Sequence, residues 1–212
     1  MAWGLRADAR RNRRRLIEAA GELVRERGLD ASLDEIARRA GVGNATLYRH
    51  FRTREALWEA AFAEAADQVG QIGGRVMKIE DPWAALVAFF DEVCALTADN
   101  QGLRELIWRG MPRSSALTEL RLRADELLRT LLERAQHAGA VRADISLTDV
   151  ALILHATLSV IPAVATLAPG AWRRHLAITL DGLRPRADSA ALPPAQLTYQ
   201  QLLTIGGTTT HE

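Results

Sequence analysis

A chain of 212 residues with 48% hydrophobic and 25% charged residues has the composition of a folded globular protein, which excludes wholesale disorder. The formal net charge of +1 averages two unlike regions, because residues 1–55 carry a net of +5 and the remainder a net of −4. A single cysteine, Cys94, excludes a disulfide framework and any metal cluster that needs paired cysteines. The basic N-terminal region predicts a polyanionic partner, with an ordinary solvated helix surface as the open alternative.

Three helices are predicted at the start of the chain. Apolar residues at three- and four-residue spacing predict the first helix over residues 10–27. Residues 32–35, Ser-Leu-Asp-Glu, match a capping box and begin a second, short helix. Gly41 ends that helix, because a tight turn needs a positive φ, and a third short helix follows over residues 44–51. These helices define a predicted first domain, residues 1–54.

The rest of the chain predicts a helical bundle over residues 55–184 and a mostly disordered tail over residues 185–212. Glycine, proline and Asn/Asp breaks separate further helices over residues 54–72, 83–99, 103–108, 115–138, 147–167 and 172–183. Gly73-Gly74 is predicted to be one such break, and the tail is predicted to hold at most one helical turn, near residues 195–203. The predicted fold is therefore all-α, with about nine helices.

One apolar stretch, Ala151–Ala168, is long enough to be compared with a membrane span. It contains His155, Pro162 and several hydroxyl side chains, so we interpret it as a helix buried on all sides within protein. The N-terminus is arginine-rich without an apolar segment and does not resemble a signal peptide. Together with the lone cysteine, these features predict a cytoplasmic protein with no membrane partner.

Two short helices joined by Gly41-Val42-Gly43 have the arrangement of a helix-turn-helix, in which the second helix lies in the DNA major groove. That helix needs apolar anchors inward and polar side chains outward. Val42, Leu47 and Phe51 are the predicted anchors. The side chains left for DNA are Asn44, Thr46, Tyr48, Arg49 and His50.

The segment from Ser32 to Phe51, SLDEIARRAGVGNATLYRHF, followed by TREAL at residues 53–57, resembles the signature of the TetR/AcrR (tetracycline-repressor-like) family. The resemblance implies an N-terminal three-helix DNA-binding domain followed by a ligand-binding and dimerisation bundle. It implies a transcriptional regulator, typically a homodimeric repressor released from operator DNA by a small apolar effector, and no enzyme, cofactor or metal. Serine or threonine is common where Gly43 lies, so one phosphate hydrogen bond is expected to be absent here.

The resemblance also suggests roles for individual residues. Asn44 and Arg49 lie where side chains reach base edges, as Asn–adenine and Arg–guanine pairs do. The phosphate contacts it implies come from Thr46, Tyr48, His50 and Arg54, and Ser32 adds another at the start of the second helix. Structural packing is the open alternative for Tyr48 and His50. The arginines at positions 10, 11, 13, 14 and 15 either attract the DNA backbone or form a solvated helix start.

The bundle offers candidates for two further sites. The predicted effector-pocket residues are Phe89, Phe90, Val93, Ile107, Trp108, Met111, Leu127 and His155, with plain core packing as the alternative for each. The last two predicted helices are expected to pair with their copies in a dimer. The predicted dimer residues are Leu154, Leu158, Ile161, Trp172, Leu176 and Leu180.

Two other classes of protein could share an all-helical sequence pattern. A helical-bundle enzyme is disfavoured because the sequence has no nucleophile elbow, P-loop, HExxH or dinucleotide fingerprint and its five histidines are scattered. A helical adaptor that dimerises without reading DNA stays open. The predicted partners are double-stranded operator DNA, a small apolar effector and a second copy of the chain.

Overall fold

The computed structural model describes residues 2–109, 114–188 and 190–205. Within these residues the chain forms α-helices and one 3₁₀ turn but no strand, so the predicted all-α fold is confirmed. The ten described helices are α1 (Ala2–Arg27), α2 (Leu33–Arg39), α3 (Asn44–His50), α4 (Arg54–Val76), α5 (Pro82–Ala98), α6 (Gln101–Arg109), α7 (Ser115–His137), α8 (Leu147–Val164), α9 (Ala171–Asp181) and α10 (Tyr199–Ile205). The 3₁₀ turn, Gly28–Asp30, follows α1.

The chain divides into two compact units, here called the head and the body. The head comprises Met1–Asp67 and Asp99–Glu119, and the body comprises Gln68–Ala98 and Leu120–Glu212. The units therefore divide inside α4, not at the predicted boundary between residues 54 and 55. Helix α6 belongs to the head because it packs on α1 and on the 3₁₀ turn.

The head is built around α1. Leu16, Ala20 and Leu23 are fully buried along one stripe of this helix, and Ile36 of α2 and Leu47 of α3 are buried with them in the core of the head. Helix α1 begins at Ala2, eight residues earlier than predicted, because helix-forming Ala, Leu and Arg residues predominate in the added turns and no proline interrupts them.

The body has an apolar core, and α5 is buried in this core over most of its own circumference. Phe89 and Phe90 are buried and meet edge to face, with ring centroids 6.0 Å apart. The predicted break at Gly73-Gly74 is wrong, because α4 runs through both residues to Val76. A Cβ at position 73 would lie only 3.1 Å from the Leu127 side chain, so this glycine lets α7 approach α4 closely.

Helix α8 begins with a formed capping box. The Ser146 hydroxyl accepts from the Asp149 backbone N–H, and the Asp149 carboxylate accepts from the Ser146 backbone N–H at 2.8 Å. By length and composition alone α8 is apolar enough to cross a membrane, and 44% of its residues are buried inside the structure. Within the single chain α8 exposes one face, formed by Leu152, Ala156, Ser159 and Ala163, so burial on all sides, which would need a second copy of the chain, stays a prediction.

The described part of the tail contacts the body through α10, which lies near the helical turn predicted at residues 195–203. Helix α10 contacts α8, and its Leu202 is buried. The Tyr199 hydroxyl donates to the Asp125 carboxylate, and burial raises the pKa of that carboxyl above its usual range. The Arg142 guanidinium donates to the Ala190 carbonyl at 2.8 Å. Composition alone gives no sign of these partners, because each lies far away in the sequence.

Candidate DNA-binding site

Helices α2 and α3 are joined by a tight turn of the helix-turn-helix kind. Gly41 has a φ of +64°, as the sequence predicts, and the Val42 N–H donates to the Ala37 carbonyl at 3.0 Å, which closes the end of α2. A Cβ at position 41 would lie 2.6 Å from the Arg15 guanidinium. The positive φ requires glycine at the turn, whereas the exposed Arg15 side chain could move aside.

The inner and outer faces of α3 fall where the sequence predicts. Leu47 and Phe51 are 2% and 3% exposed, and they fix α3 in the core of the head. The outer face carries Asn44, Tyr48 and Arg49, of which Tyr48 is 53% exposed although it is a large aromatic side chain. Thr46 and His50 are half-buried at its edges. The arrangement presents an amide, a phenol and a guanidinium on one exposed surface.

The Asn44 side chain forms a hydrogen bond within the head. Its side-chain N–H donates to the Asp34 carboxylate at 2.7 Å, which ties the first turn of α3 to the first turn of α2. Asn44 is also the first residue of α3, directly after the N-cap Gly43, which makes no side-chain capping bond. This geometry leaves the Asn44 carbonyl oxygen to accept from a donor on a base edge, and the second amide hydrogen to donate to an acceptor there.

His50 lies beside two arginines at the end of α3. Among the atoms that the structure describes, its Nε2 is buried and has no hydrogen-bond partner. Burial, with Arg49 and Arg13 nearby, holds the pKa of His50 below its usual value. His50 is therefore a neutral imidazole near pH 7, and Nδ1 is the ring nitrogen left for a phosphate contact.

Arg54 has a structural role that the sequence did not predict. One terminal nitrogen of its guanidinium donates to the Leu29 carbonyl at 2.7 Å and to the Ala31 carbonyl at 2.6 Å, and the group lies over the Trp58 ring. The guanidinium therefore holds the turn that leads into α2, and a phosphate contact from Arg54 stays a prediction.

Ser32 occupies the N-cap of α2 and is exposed, but its side chain makes no capping hydrogen bond. The predicted capping box is therefore not formed. Glu35 pairs instead with Arg27 and Arg38. The uncapped N–H groups at the start of α2 and the Ser32 hydroxyl are the donors available there for a phosphate oxygen.

Helix α6 braces the turn before α2 from the other side. The Glu105 carboxylate accepts from the Leu29 N–H at 2.7 Å and from the Gln101 side-chain amide at 2.9 Å. Gly28 has a φ of +77°, and a Cβ there would overlap the Glu105 carboxylate. The sequence missed this contact, for which Gly28 is the only local signal. Arg13, whose guanidinium lies 5.0 Å from the Phe51 ring centroid, was also missed as a neighbour of α3.

The predicted effector residues are divided between the two units. Phe89, Phe90, Val93 and His155 are buried in the body and Leu127 is half-buried there, whereas Ile107 and Trp108 belong to the head. Met111 lies outside the described residues. The body also carries a groove of about 290 Å³ that none of these residues lines. Its lining is Gln68, Gln71, Ile72, Arg75, Glu92, Ala95 and Leu96.

The predicted dimer residues lie in the core of their own chain. All six are between 1% and 8% exposed, namely Leu154, Leu158, Ile161, Trp172, Leu176 and Leu180. These side chains are therefore packed mainly within their own chain, and a role for them in a dimer interface stays a prediction. The large apolar side chains that α8 and α9 leave exposed are Leu152, at 39%, and Ile178, at 64%.

The head thus defines a helix-turn-helix DNA-binding protein, and comparison with known proteins gives its family. Residues 16–61 match the model of the bacterial regulatory proteins of the tetR family, and residues 81–185 match the C-terminal domain of SbtR-like transcriptional regulators. The solved TetR regulator SCO0520 of Streptomyces coelicolor is 31% identical over 82% of this chain and 99% of that one, with a TM-score of 0.53. The chain belongs to the TetR family of transcriptional regulators.

Two curated relatives agree with this assignment. SrpR of Pseudomonas putida, an HTH-type transcriptional regulator, is 29% identical over 140 residues, which is 65% of this chain and 66% of SrpR. YvdT of Bacillus subtilis is 31% identical over 99 residues, 46% of this chain, and the match spans about half of its length, 51%. The family consists of DNA-binding transcriptional regulators, which are not enzymes.

Proposed function

We propose that this protein is a homodimeric repressor that binds operator DNA through α3 and is released from it by a small apolar effector. The observation that carries the proposal is the exposed polar face of α3 on a rigid helix-turn-helix. Arg49 reads a base edge in the major groove, and Asn44 does so through its amide. Tyr48, Thr46, His50 and Ser32 contact phosphates and fix the helix in register. Such a regulator acts in the cytoplasm, where the DNA is.

The proposal of a homodimer is based on the exposed faces of α8 and α9. Leu152, Ala156, Ser159 and Ala163 recur at helical spacing on α8, and Ile178 is the large exposed apolar residue of α9. Small residues on α8 let a second helix approach closely, and Leu152 and Ile178 add apolar area. A two-fold pairing of these faces gives two heads for two half-sites spaced by whole turns of DNA.

The proposal of an apolar effector is based on the apolar character of the body. Helix α5 buries Phe89, Phe90 and Val93, and the groove of about 290 Å³ sets apolar Ile72, Ala95 and Leu96 among polar side chains. The transcriptional regulator FadR of Bacillus subtilis was solved in complex with stearoyl-CoA. Its structure has a TM-score of 0.58 to this chain, and at 17% sequence identity the two share the fold alone. Release then follows if the effector binds a conformation of the dimer with lower operator affinity.

The test is binding of the full-length protein to the DNA that flanks its own gene, measured by electrophoretic mobility shift with random DNA as competitor. We expect specific binding, and Arg49→Ala should lower affinity by about 1–3 kcal/mol and relax the preference at one base pair. Arg25→Ala is the matched control, because Arg25 is exposed at the far end of α1. Equal affinity for flanking and random DNA would overturn the sequence-specific function, and no binding at low salt would favour the adaptor.

A further inference from the structure

The first half of α1 carries a dense group of arginines that the proposed function does not use. We call Arg10, Arg11, Arg13, Arg14 and Arg15 the arginine segment; all five are at least partly exposed. The segment lies upstream of residues 16–61, the part that matches the TetR-family DNA-binding model, yet it is a continuous part of α1, which begins at Ala2. It therefore lies outside the part of α1 that the family match covers.

Contacts join the arginine segment to the helix-turn-helix on two sides. The Arg13 guanidinium stacks on Phe51, the residue directly after α3. On the other side, the Arg15 guanidinium lies against Gly41 in the turn between α2 and α3. The positive charges of Arg13 and Arg49 both help to lower the pKa of His50, so both lie near that residue. The positive charge of the segment is therefore continuous with that of α3.

Most of this charge is not neutralised within the protein. Arg11 pairs with Asp8, and within the described residues no ion pair is formed by Arg10, Arg13 or Arg14. Arg10 and Arg14 are one helical turn apart, as are Arg11 and Arg15, and like charges at this spacing destabilise a helix. A folded helix that keeps such repulsion gains most from a partner that supplies negative charge along its length.

We propose that the arginine segment is a second DNA-contacting element, which binds phosphates beside the half-site that α3 reads and lengthens the protein's footprint. The inference rests on the proposed function and adds a contact to it. At 1.5 Å per residue the segment is about 8 Å long, and one DNA strand advances about 3.4 Å per phosphate, so roughly two phosphates lie within its reach. These contacts carry no base information and contribute affinity to every sequence alike.

The test compares the double variant Arg10→Gln/Arg14→Gln with Arg25→Gln/Lys78→Gln. Both remove two positive charges from the surface, and neither touches the Arg13–Phe51 or Arg15–Gly41 contacts. Dissociation constants for flanking and random DNA are measured by fluorescence anisotropy across a range of salt concentrations. Each phosphate that the protein neutralises adds about 0.9 to the slope of log affinity against log salt, so we expect the first variant to show a slope smaller by about 1–2 on both DNAs.

Hydroxyl-radical footprinting on the flanking DNA gives a second measurement. We expect the first variant to lose protection at the outer edges of the footprint while the central protection stays. An unchanged slope and footprint, or an equal decrease in the control pair, would overturn the proposal. Failure of the proposed function is distinguishable, because it appears as equal affinity for the two DNAs, and the slope on random DNA then still decides whether the segment binds phosphates.

Discussion

The head and the body are stabilised in different ways. In the head, charged side chains connect short helices: Arg39 of α2 makes two hydrogen bonds, of 3.0 and 3.1 Å, to Glu26 of α1, and Glu105 of α6 holds the Leu29 N–H. In the body, apolar helices such as α5 and α8 pack by shape, and apolar side chains reach the surface at Leu152 and Ile178. The function proposed for the head therefore depends on particular polar residues. The functions proposed for the body depend on an exposed apolar face and on a groove.

The largest expected effect comes from the exposed face of the body. Ile178→Glu puts a charge on the proposed dimer face at a side chain that is 64% exposed, so the fold should survive. Two linked heads bind two half-sites about 100- to 10,000-fold more tightly than one, and operator affinity should fall within that range. Molar mass by light scattering should show monomers.

Leu122→Glu is the matched control for that experiment, because Leu122 is 59% exposed on α7 and lies outside the proposed face. It should leave both the mass and the operator affinity unchanged. A dimeric Ile178→Glu protein with normal affinity would show that the body's exposed apolar face is not the dimer interface.

The next effect concerns how the head is braced. Gly28→Ala must adopt a φ near +77° and also displace the Glu105 carboxylate, so it should destabilise the protein by roughly 1–3 kcal/mol from backbone strain and more from the overlap. Gly139→Ala in the body faces the same strain at φ +67° but has no neighbouring atom within 4 Å. Denaturant unfolding should rank Gly28→Ala as the more destabilised variant, and equal destabilisation would contradict a role for the Glu105 contact.

A smaller effect is expected from the titration of His50. Its folded pKa lies below the ordinary 6.5, so as pH falls through 6.5 the unfolded chain takes up a proton before the folded one does. Stability should therefore decline below about pH 6.5, and His50→Gln should decline less over the same range. Free energies of unfolding at about pH 7.5 and about pH 5.5, on either side of that value, measure the difference. Parallel declines in the two proteins would mean that the environment of His50 does not perturb its pKa.

The smallest effect is expected at the N-cap of α3. No atom lies within 4 Å of a Cβ at position 43 and its φ is negative, so Gly43→Ser is accommodated without strain. The serine hydroxyl caps α3 for a few tenths of a kcal/mol and adds one phosphate hydrogen bond, about 0.5–1.5 kcal/mol of operator affinity. Gly43→Ala controls for the added carbon atom. Equal operator affinities for the two variants would show that no phosphate lies near residue 43.

The sequence was sufficient where function depends on local periodicity and turn chemistry. Leu47 and Phe51 are buried and Tyr48 and Arg49 exposed because the 3.6-residue repeat of α3 is visible in seven residues. Gly41 marks its turn for the same local reason. The structural role of Arg54 was not predicted because its partners, Leu29 and Ala31, are more than twenty residues away in the chain.

By itself, then, the sequence determined the all-α class, the helix-turn-helix and the outward face of α3, since all three are encoded over a few consecutive turns of chain. Only the tertiary structure decided which side of α8 and α9 is buried, since an apolar stripe looks the same whether it faces its own core or a partner. The tertiary structure likewise placed α6 with the head and folded the described part of the tail onto the body. Those outcomes depend on contacts between distant residues, such as Glu105 with Leu29 and Tyr199 with Asp125, which no local pattern records.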